Sequence, residues 1–249
     1  MKYWFNEDKS IRLYNDDCLV VLDKLLENNI VVDCIVCDPA YKTTARGNAG
    51  NSGGMLQKGI NMKGKVFEHN SCDVELWMPK IYKILRETGH CYIMTNHVNL
   101  YNYLKVAKEC GFHFIKSLIW KKDNKIMGQY YMNQFEYILF FRKGKGKRIN
   151  NCGTSDVLEF PNKKLKDNNG KNLHDTEKPV ELMKILIENS TIGRERERER
   201  VLDFMMGIGS TAVACKQTNR DFIGIEIDEH YFDIAVKRIQ ETENNESKE

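Results

Sequence analysis

Short runs of β-type apolar residues alternate along the chain with segments whose apolar positions recur every three to four residues. The pattern predicts strands at 11–15, 30–37, 90–95, 112–121, 136–142, 200–203 and 221–225. It predicts helices at 18–27, 74–87, 100–110, 179–190, 210–217 and 229–241. Strands that alternate with helices build an α/β domain around a parallel sheet. Gly89 and Gly111 follow two of the helices, where a left-handed residue ends a helix at little steric cost. Pro179 suits the first turn of the helix it opens. The polar residues after 241 predict a frayed tail.

The 249 residues, 41% of them hydrophobic, support one domain with inserts. No apolar run approaches the length that crosses a bilayer. The opening, MKYWFNEDKS, lacks the apolar stretch of a secretory signal. Eight cysteines stand without framework spacing, so a cytoplasmic protein with reduced thiols is expected. One CxxC occurs, Cys34 to Cys37, inside an apolar strand. Residues three apart on a strand point to opposite faces, so a shared metal is not expected there, nor elsewhere.

Net charge is only +3, but it is unevenly spread. Residues 42–67 hold five basic and no acidic residues, with six glycines; residues 142–171 hold nine basic and three acidic. Both segments lack apolar periodicity. A flexible loop at 42–71 and an insert at 143–173, containing KGKGKR at 143–148, predict a polyanionic partner for an otherwise acidic body. Arg and Glu alternate from 194 to 200, a period that gives a helix no apolar face, and a solvated loop is expected there. A run of AG dinucleotides would encode this repeat and could slip during replication, shifting the reading frame before Val201.

Two segments carry chemistry. Asp38, Pro39, Ala40 and Tyr41 follow an apolar strand, where open α/β sheets place their ligands. A carboxylate and a carbonyl beside a rigid proline can accept the two hydrogens of an exocyclic amino group, and an aromatic ring can stack on the base. Further on, a strand ends at Asp203, and Gly207 and Gly209 form a G-x-G turn into a helix. The next strand ends at Glu226, placed to bind ribose hydroxyls. This indicates a cofactor containing a nucleoside, either a dinucleotide or S-adenosylmethionine. A nicotinamide-dependent oxidoreductase is the rival, since Ala212 is tolerated at the third glycine position. However, a dinucleotide fold usually starts the chain, and no hydride-transfer pair stands out.

Taken in order, these segments resemble the amino-methylating DNA methyltransferases of the β arrangement, in which D-P-P-Y precedes the glycine motif. The resemblance covers nearly the whole chain. Residues 13–18 (LYNDDC) match the segment that touches the cofactor's adenine, which implicates Asp17 and Cys18. Residues 174–180 (HDTEKPV) resemble H-x-T-x-K-P, which implies that Thr176 and Lys178 help to hold the methionine part. Residues 203–211 (DFMMGIGST) match D-P-F-x-G-x-G-T-T, adding Asp203, Met205, Gly207, Gly209, Ser210 and Thr211 to the cofactor site. Glu226 matches the ribose-binding acid, and Asp38 borders the cofactor as well as the base. The chain departs from the family at Ala40, where a second proline is usual, and at Phe204 and Met205, where Pro and Phe are usual.

The resemblance implies a circularly permuted Rossmann-like methyltransferase fold with a mostly parallel seven-stranded sheet. The strand ending at Cys37 would lie beside the strand ending at Asp203. It also implies S-adenosylmethionine as methyl donor and N6 of adenine in duplex DNA as acceptor, reached by base flipping. Asp38, Pro39 and Tyr41 would be catalytic. Cytosine N4 methylation is the alternative, as is a DNA-binding subunit that keeps the fold without activity. A homodimer and a cognate restriction enzyme are the other partners implied. Trp77, Trp120, Phe140 and Phe141 read as core, His174 as holding its motif together, and Glu136 receives no role.

Overall fold

The computed structural model describes residues 2–40, 72–126, 130–167, 169–170, 172–174, 176–194 and 197–246. Tyr41, Asp175 and the expected loop at 42–71 lie outside them. The elements are β1 (Lys2–Phe5), β2 (Ile11–Asn15), α1 (Cys18–Glu27), β3 (Val32–Cys37), α2 (Val74–Ile84), β4 (Leu85–Thr95), α3 (Leu100–Cys110), β5 (His113–Ile126), β6 (Asn133–Arg142), β7 (Val157–Glu159), α4 (Val180–Ser190), β8 (Gly193–Arg194), β9 (Glu197–Arg198), β10 (Arg200–Asp203), α5 (Ser210–Gln217), β11 (Asp221–Glu226) and α6 (Glu229–Glu246).

Nine strands form one sheet in the order β1-β2-β11-β10-β3-β4-β6-β5-β7. The seven expected strands are its centre, and their pairs are parallel from β2 across to β4. β6 runs antiparallel between β4 and β5. The two edge strands were not expected. β1 is short and mostly exposed, so no alternation stands out, and β7 has only three residues. Chain order reverses between β3 and β10, which lie side by side with Val201 opposite Cys34 and Leu202 opposite Ile35. The strand ending at Cys37 therefore borders the strand ending at Asp203, as the resemblance implied.

A layer of helices covers each face. α1, α2 and α3 pack on one side, around Leu22, Trp77, Met78, Ile81 and Val106. α4, α5 and α6 pack on the other, around Leu182, Leu186, Ala214, Phe232 and Ile239. The central strands are buried on both faces, which is why they read as continuous apolar runs. Cys34 and Cys37 are both fully buried and belong to opposite faces. Trp77, Trp120, Phe140 and Phe141 are all core residues.

Several local expectations needed correction. The helix expected to reach 87 stops at Ile84, because Leu85 turns extended and pairs with Val32. Gly89 therefore lies inside β4 and caps no helix; a Cβ there would meet the Leu85 side chain at 2.6 Å. Gly111 does cap α3, at φ 101°. Pro179 sits one position before the helix, as the N-cap of α4. The Arg–Glu stretch is more ordered than a solvated loop: β8 pairs with β9. Glu199 accepts from the Ile192 N–H at 2.8 Å and pairs with Arg86 at 2.9 Å and Lys147 at 3.5 Å. Among the described residues, no helix is long and apolar enough to cross a membrane, and no group of residues could hold a metal ion.

Candidate active site

The site lies where the chain order reverses, at the carboxyl ends of β3, β10 and β11. Its glycine turn is held locally. Asp203, at the end of β10, accepts from the Thr211 hydroxyl at 2.6 Å and the Met205 N–H at 3.2 Å. Burial raises its carboxyl to about 6. Gly207 and Gly209 have φ of 54° and 79°. A Cβ on Gly209 would meet that of Ala235 at 2.9 Å, so α6 can approach only a glycine here. Glu226, at the end of β11, accepts from Gly207 N–H at 2.9 Å and from Asp228 N–H at 2.8 Å. Its burial outweighs these bonds and raises it to about 7. Both carboxylates thus sit beside the turn, Glu226 oriented by backbone and Asp203 by backbone together with the Thr211 and Cys37 side chains.

Nearby segments close around this turn. Asp17 caps α1, accepting from Leu19 N–H at 2.7 Å, and Cys18 is buried behind it. The His174 ring packs edge-on against Tyr231, 4.6 Å between centroids, and lies over Gly207. Burial lowers it to about 4, leaving it a neutral ring. Thr176 donates its N–H to His174 Nδ1 at 3.3 Å. Ser210 and Thr211 are buried in the first turn of α5, and the Thr211 hydroxyl serves Asp203.

Asp38 is assembled differently. It follows β3 and is part-buried. Its Oδ2 is bonded by Lys178 Nζ, and its Oδ1 is buried with no hydrogen-bond partner among the described residues. Burial raises its carboxyl, while Lys178 opposes that shift. Lys178 donates to the Thr176 carbonyl at 3.0 Å and lies 3.5 Å from Glu136. The Ala40 N–H points at Met205 Sδ, 3.2 Å away, so the two departures from the family pattern meet each other. Phe204, the third, packs against Trp77 with ring centroids 5.0 Å apart.

Three further residues join the site that the sequence reading passed over. Glu136 pairs with Lys122 at 2.5 Å; burial would raise its carboxyl, but Lys178 and Lys122 outweigh this and hold it at about 2. Arg238 of α6 pairs with Glu177 at 3.1 Å and donates to the Ile208 carbonyl at 2.8 Å, tying the 174–180 segment to the glycine turn. A buried acid on a strand was the one signal available for Glu136: an acidic position within an otherwise apolar run.

The insert at 143–173 divides in two. Its first part lies at the opposite end of the sheet, where Lys143 donates to the carbonyls of Tyr82 and Leu85 at 2.9 and 2.7 Å. Its second part reaches the site. Trp120 donates to the Phe160 carbonyl at 2.9 Å, and Leu165 N–H to Glu177 at 2.8 Å.

A Rossmann-like sheet with a glycine turn, two carboxylates beside it and a third across the reversal is an arrangement that can bring a nucleoside cofactor to a polar acceptor. Residues 32–237 match the model of the N6/N4 DNA methylase family, and the chain belongs to that family. It is a DNA methyltransferase, and the family's methyl donor is S-adenosylmethionine. This decides between the two cofactors that the glycine turn alone left open. Type II methyltransferase M2.DpnII of Streptococcus pneumoniae is 28% identical over 98% of this chain and 95% of its own length. Type II methyltransferase M.HinfI of Haemophilus influenzae is 27% identical over 92% of this chain and 68% of its own. The fold is shared with the M1.HpyAVI–SAM complex (TM-score 0.67, 24% identity, 92% of this chain and 99% of that one). It is also shared with the PvuII cytosine-N4-specific DNA methyltransferase (TM-score 0.68, 13% identity, 92% and 86%).

Proposed function

We propose that this chain is a site-specific adenine methyltransferase that acts on N6 of an adenine flipped out of duplex DNA. The observation that carries the reading is the Asp38 Oδ1 atom, at the carboxyl end of β3, a buried acceptor with no partner among the described residues. A buried acceptor without a partner is costly, and a substrate donor would relieve it. The exocyclic amino group of a base supplies such a donor. Asp38 Oδ1 would take one amino hydrogen and the Pro39 carbonyl the other, which turns the nitrogen lone pair away from both. Tyr41 would stack on the flipped base. Positioning and electrostatics then supply the acceleration.

The residues present fit the cofactor. Glu226, aligned by two backbone N–H groups, would accept from the ribose hydroxyls. Asp17 and Cys18 would border the adenine, and Thr176 and Lys178 the methionine part. Gly207, Gly209, Met205 and Ser210 would line the turn, with Asp203 and Thr211 holding its shape. Bound S-adenosylmethionine supplies an electrophilic methyl group on its sulfonium.

Asp in the first catalytic position favours adenine, since the cytosine N4 enzymes of the family more often carry Ser there. Duplex DNA would be gripped by the basic part of the insert nearest Asp38, where Lys163 and Lys166 are exposed. The remaining partners of this reading are a second copy of the chain and a cognate restriction enzyme, in the cytoplasm. The deciding experiment is mass spectrometry of nucleosides from DNA incubated with the protein and S-adenosylmethionine. N6-methyladenine is the expected product. N4-methylcytosine would keep the role of Asp38 and overturn the base. The absence of both products, on DNA of varied sequence, would overturn the reading.

A further inference from the structure

Glu136 stands at the centre of a charged cluster drawn from four separate segments. Asp38 follows β3, Lys122 belongs to β5, Glu136 to β6, and Lys178 precedes α4. Lys122 and Lys178 are both buried, with Nζ 4.7 Å and 5.9 Å from the centroid of the Trp120 ring. Removing two ammonium groups and two carboxylates from water is costly, and apolar side chains of the same volume would often fold as well or better. Stability alone therefore does not account for these charges.

The geometry around Lys178 does. An ammonium has three N–H donors. Among the groups around it are three acceptors of the described residues: Asp38 Oδ2, the Thr176 carbonyl at 3.0 Å, and Glu136 Oε2 at 3.5 Å. Glu136 is itself seated by Lys122 on its other oxygen, Oε1, at 2.5 Å. We propose that Glu136, fixed by Lys122, is a positioning residue that holds Lys178 to one oxygen of Asp38 and so keeps the other oxygen open for the amino group of the target base. With Glu136 neutral, the pull that draws Lys178 away from Asp38 Oδ1 is weakened, and the ammonium can shift onto that oxygen and compete with the substrate. This inference rests on the reading of Asp38 given above.

The two supporting residues act on Asp38 with opposite sign. The charged groups that face it are Lys178, Glu136 and Lys122, with Asp203 across from β10. The Glu136 anion favours protonation of Asp38, and the Lys122 cation opposes it. Removing Glu136 should therefore move the acid limb of the kcat–pH profile to lower pH, and removing Lys122 should move it to higher pH.

The test measures methyl transfer to unmethylated duplex DNA of mixed sequence by the wild type, Asp38→Asn, Glu136→Gln and Lys122→Met, across the pH range. Glu136→Gln should lower kcat by about ten- to a hundredfold while KM for DNA stays within about threefold, the signature of an interaction that matters in turnover. The acid limbs of Glu136→Gln and Lys122→Met should shift in opposite directions. Wild-type rates and unshifted limbs in both, with Asp38→Asn inactive, would overturn the positioning role alone. A loss of rate that tracks a loss of thermal stability, with neither limb moved, would overturn it too and leave Glu136 a structural residue. An active Asp38→Asn enzyme would instead overturn the reading of Asp38 on which the inference stands.

Discussion

Glu226 takes its hydrogen bonds from residues nineteen positions away or nearer, and Asp203 from Thr211 and Met205 close by and the Cys37 thiol of β3, whereas the partner of Asp38 is 140 positions away. In the first half of the site the backbone of one β-turn-α unit and the next strand aims both carboxylates, with the side chains of Thr211 and Cys37 helping at Asp203. In the second half, side chains from β5, β6 and the segment before α4 converge on a residue just past β3. In the first half every oxygen of Glu226 is bonded. The second half keeps one buried oxygen of Asp38 unbonded among the described residues. Under the proposed function, the half assigned to the cofactor is thus held mainly by nearby backbone, while the half assigned to the acceptor is balanced by long-range ion pairs and left open for a donor. Substitutions should separate accordingly, into effects on cofactor affinity and effects on turnover.

The largest expected effect breaks the acceptor half. Asp38→Ala should lower kcat by at least about 100-fold, the scale for removing one preorganised hydrogen-bond partner from a reacting group. Calorimetric affinity for S-adenosylmethionine should change far less, and an equal loss of both would erase the division between halves. Next comes the fold of the glycine turn. Gly209→Ala places a Cβ at positive φ and 2.9 Å from Ala235, and should cost about 1–3 kcal/mol, read as a lower thermal midpoint. An unchanged midpoint would show that α6 yields without cost.

A smaller effect concerns pH. Burial raises Glu226 to about 7, so below that pH much of the free protein carries it protonated. In the proposed role the ribose hydroxyls would bind the carboxylate, so calorimetry should find cofactor affinity rising several-fold from pH 6 to 8, with proton release, as a site titrating near 7 requires. Glu226→Gln should flatten the dependence, and a profile just as steep in that variant would locate the titration elsewhere. The smallest effect sharpens the division of the insert. Lys163→Gln with Lys166→Gln should reduce the slope of log K for DNA against log salt by about 2. The pair Lys145→Gln with Arg148→Gln, at the other end of the sheet, should change it by less than half as much. Equal effects would return both parts of the insert to the DNA.

Legibility in the sequence followed the same division. The glycine turn, Asp203 and Glu226 are close in sequence, and their spacing is their geometry. The motif at Asp38 was legible as residues but not as an environment. Its ordered matches placed β3 beside β10, yet no spacing linked residue 38 to residues 122, 136 and 178. Lys178 was read as a cofactor residue, and the structure binds it to Asp38. The Arg–Glu stretch read as solvated because its alternation suits no core, yet Glu199 finds Arg86 and Lys147 from distant segments.

The sequence by itself determined the periodicity of the elements, the apolar runs of strands buried on both faces, and a turn that only glycine can make. Each of these is set within one element or between neighbours in the chain, where backbone sterics and side-chain pattern decide. Only the tertiary structure decided where Leu85 leaves its helix for the sheet, which half of the insert reaches the site, and how two lysines and two acids share one buried cluster. Those outcomes depend on desolvation and Coulomb energies between groups that become neighbours only when the sheet closes over its helices.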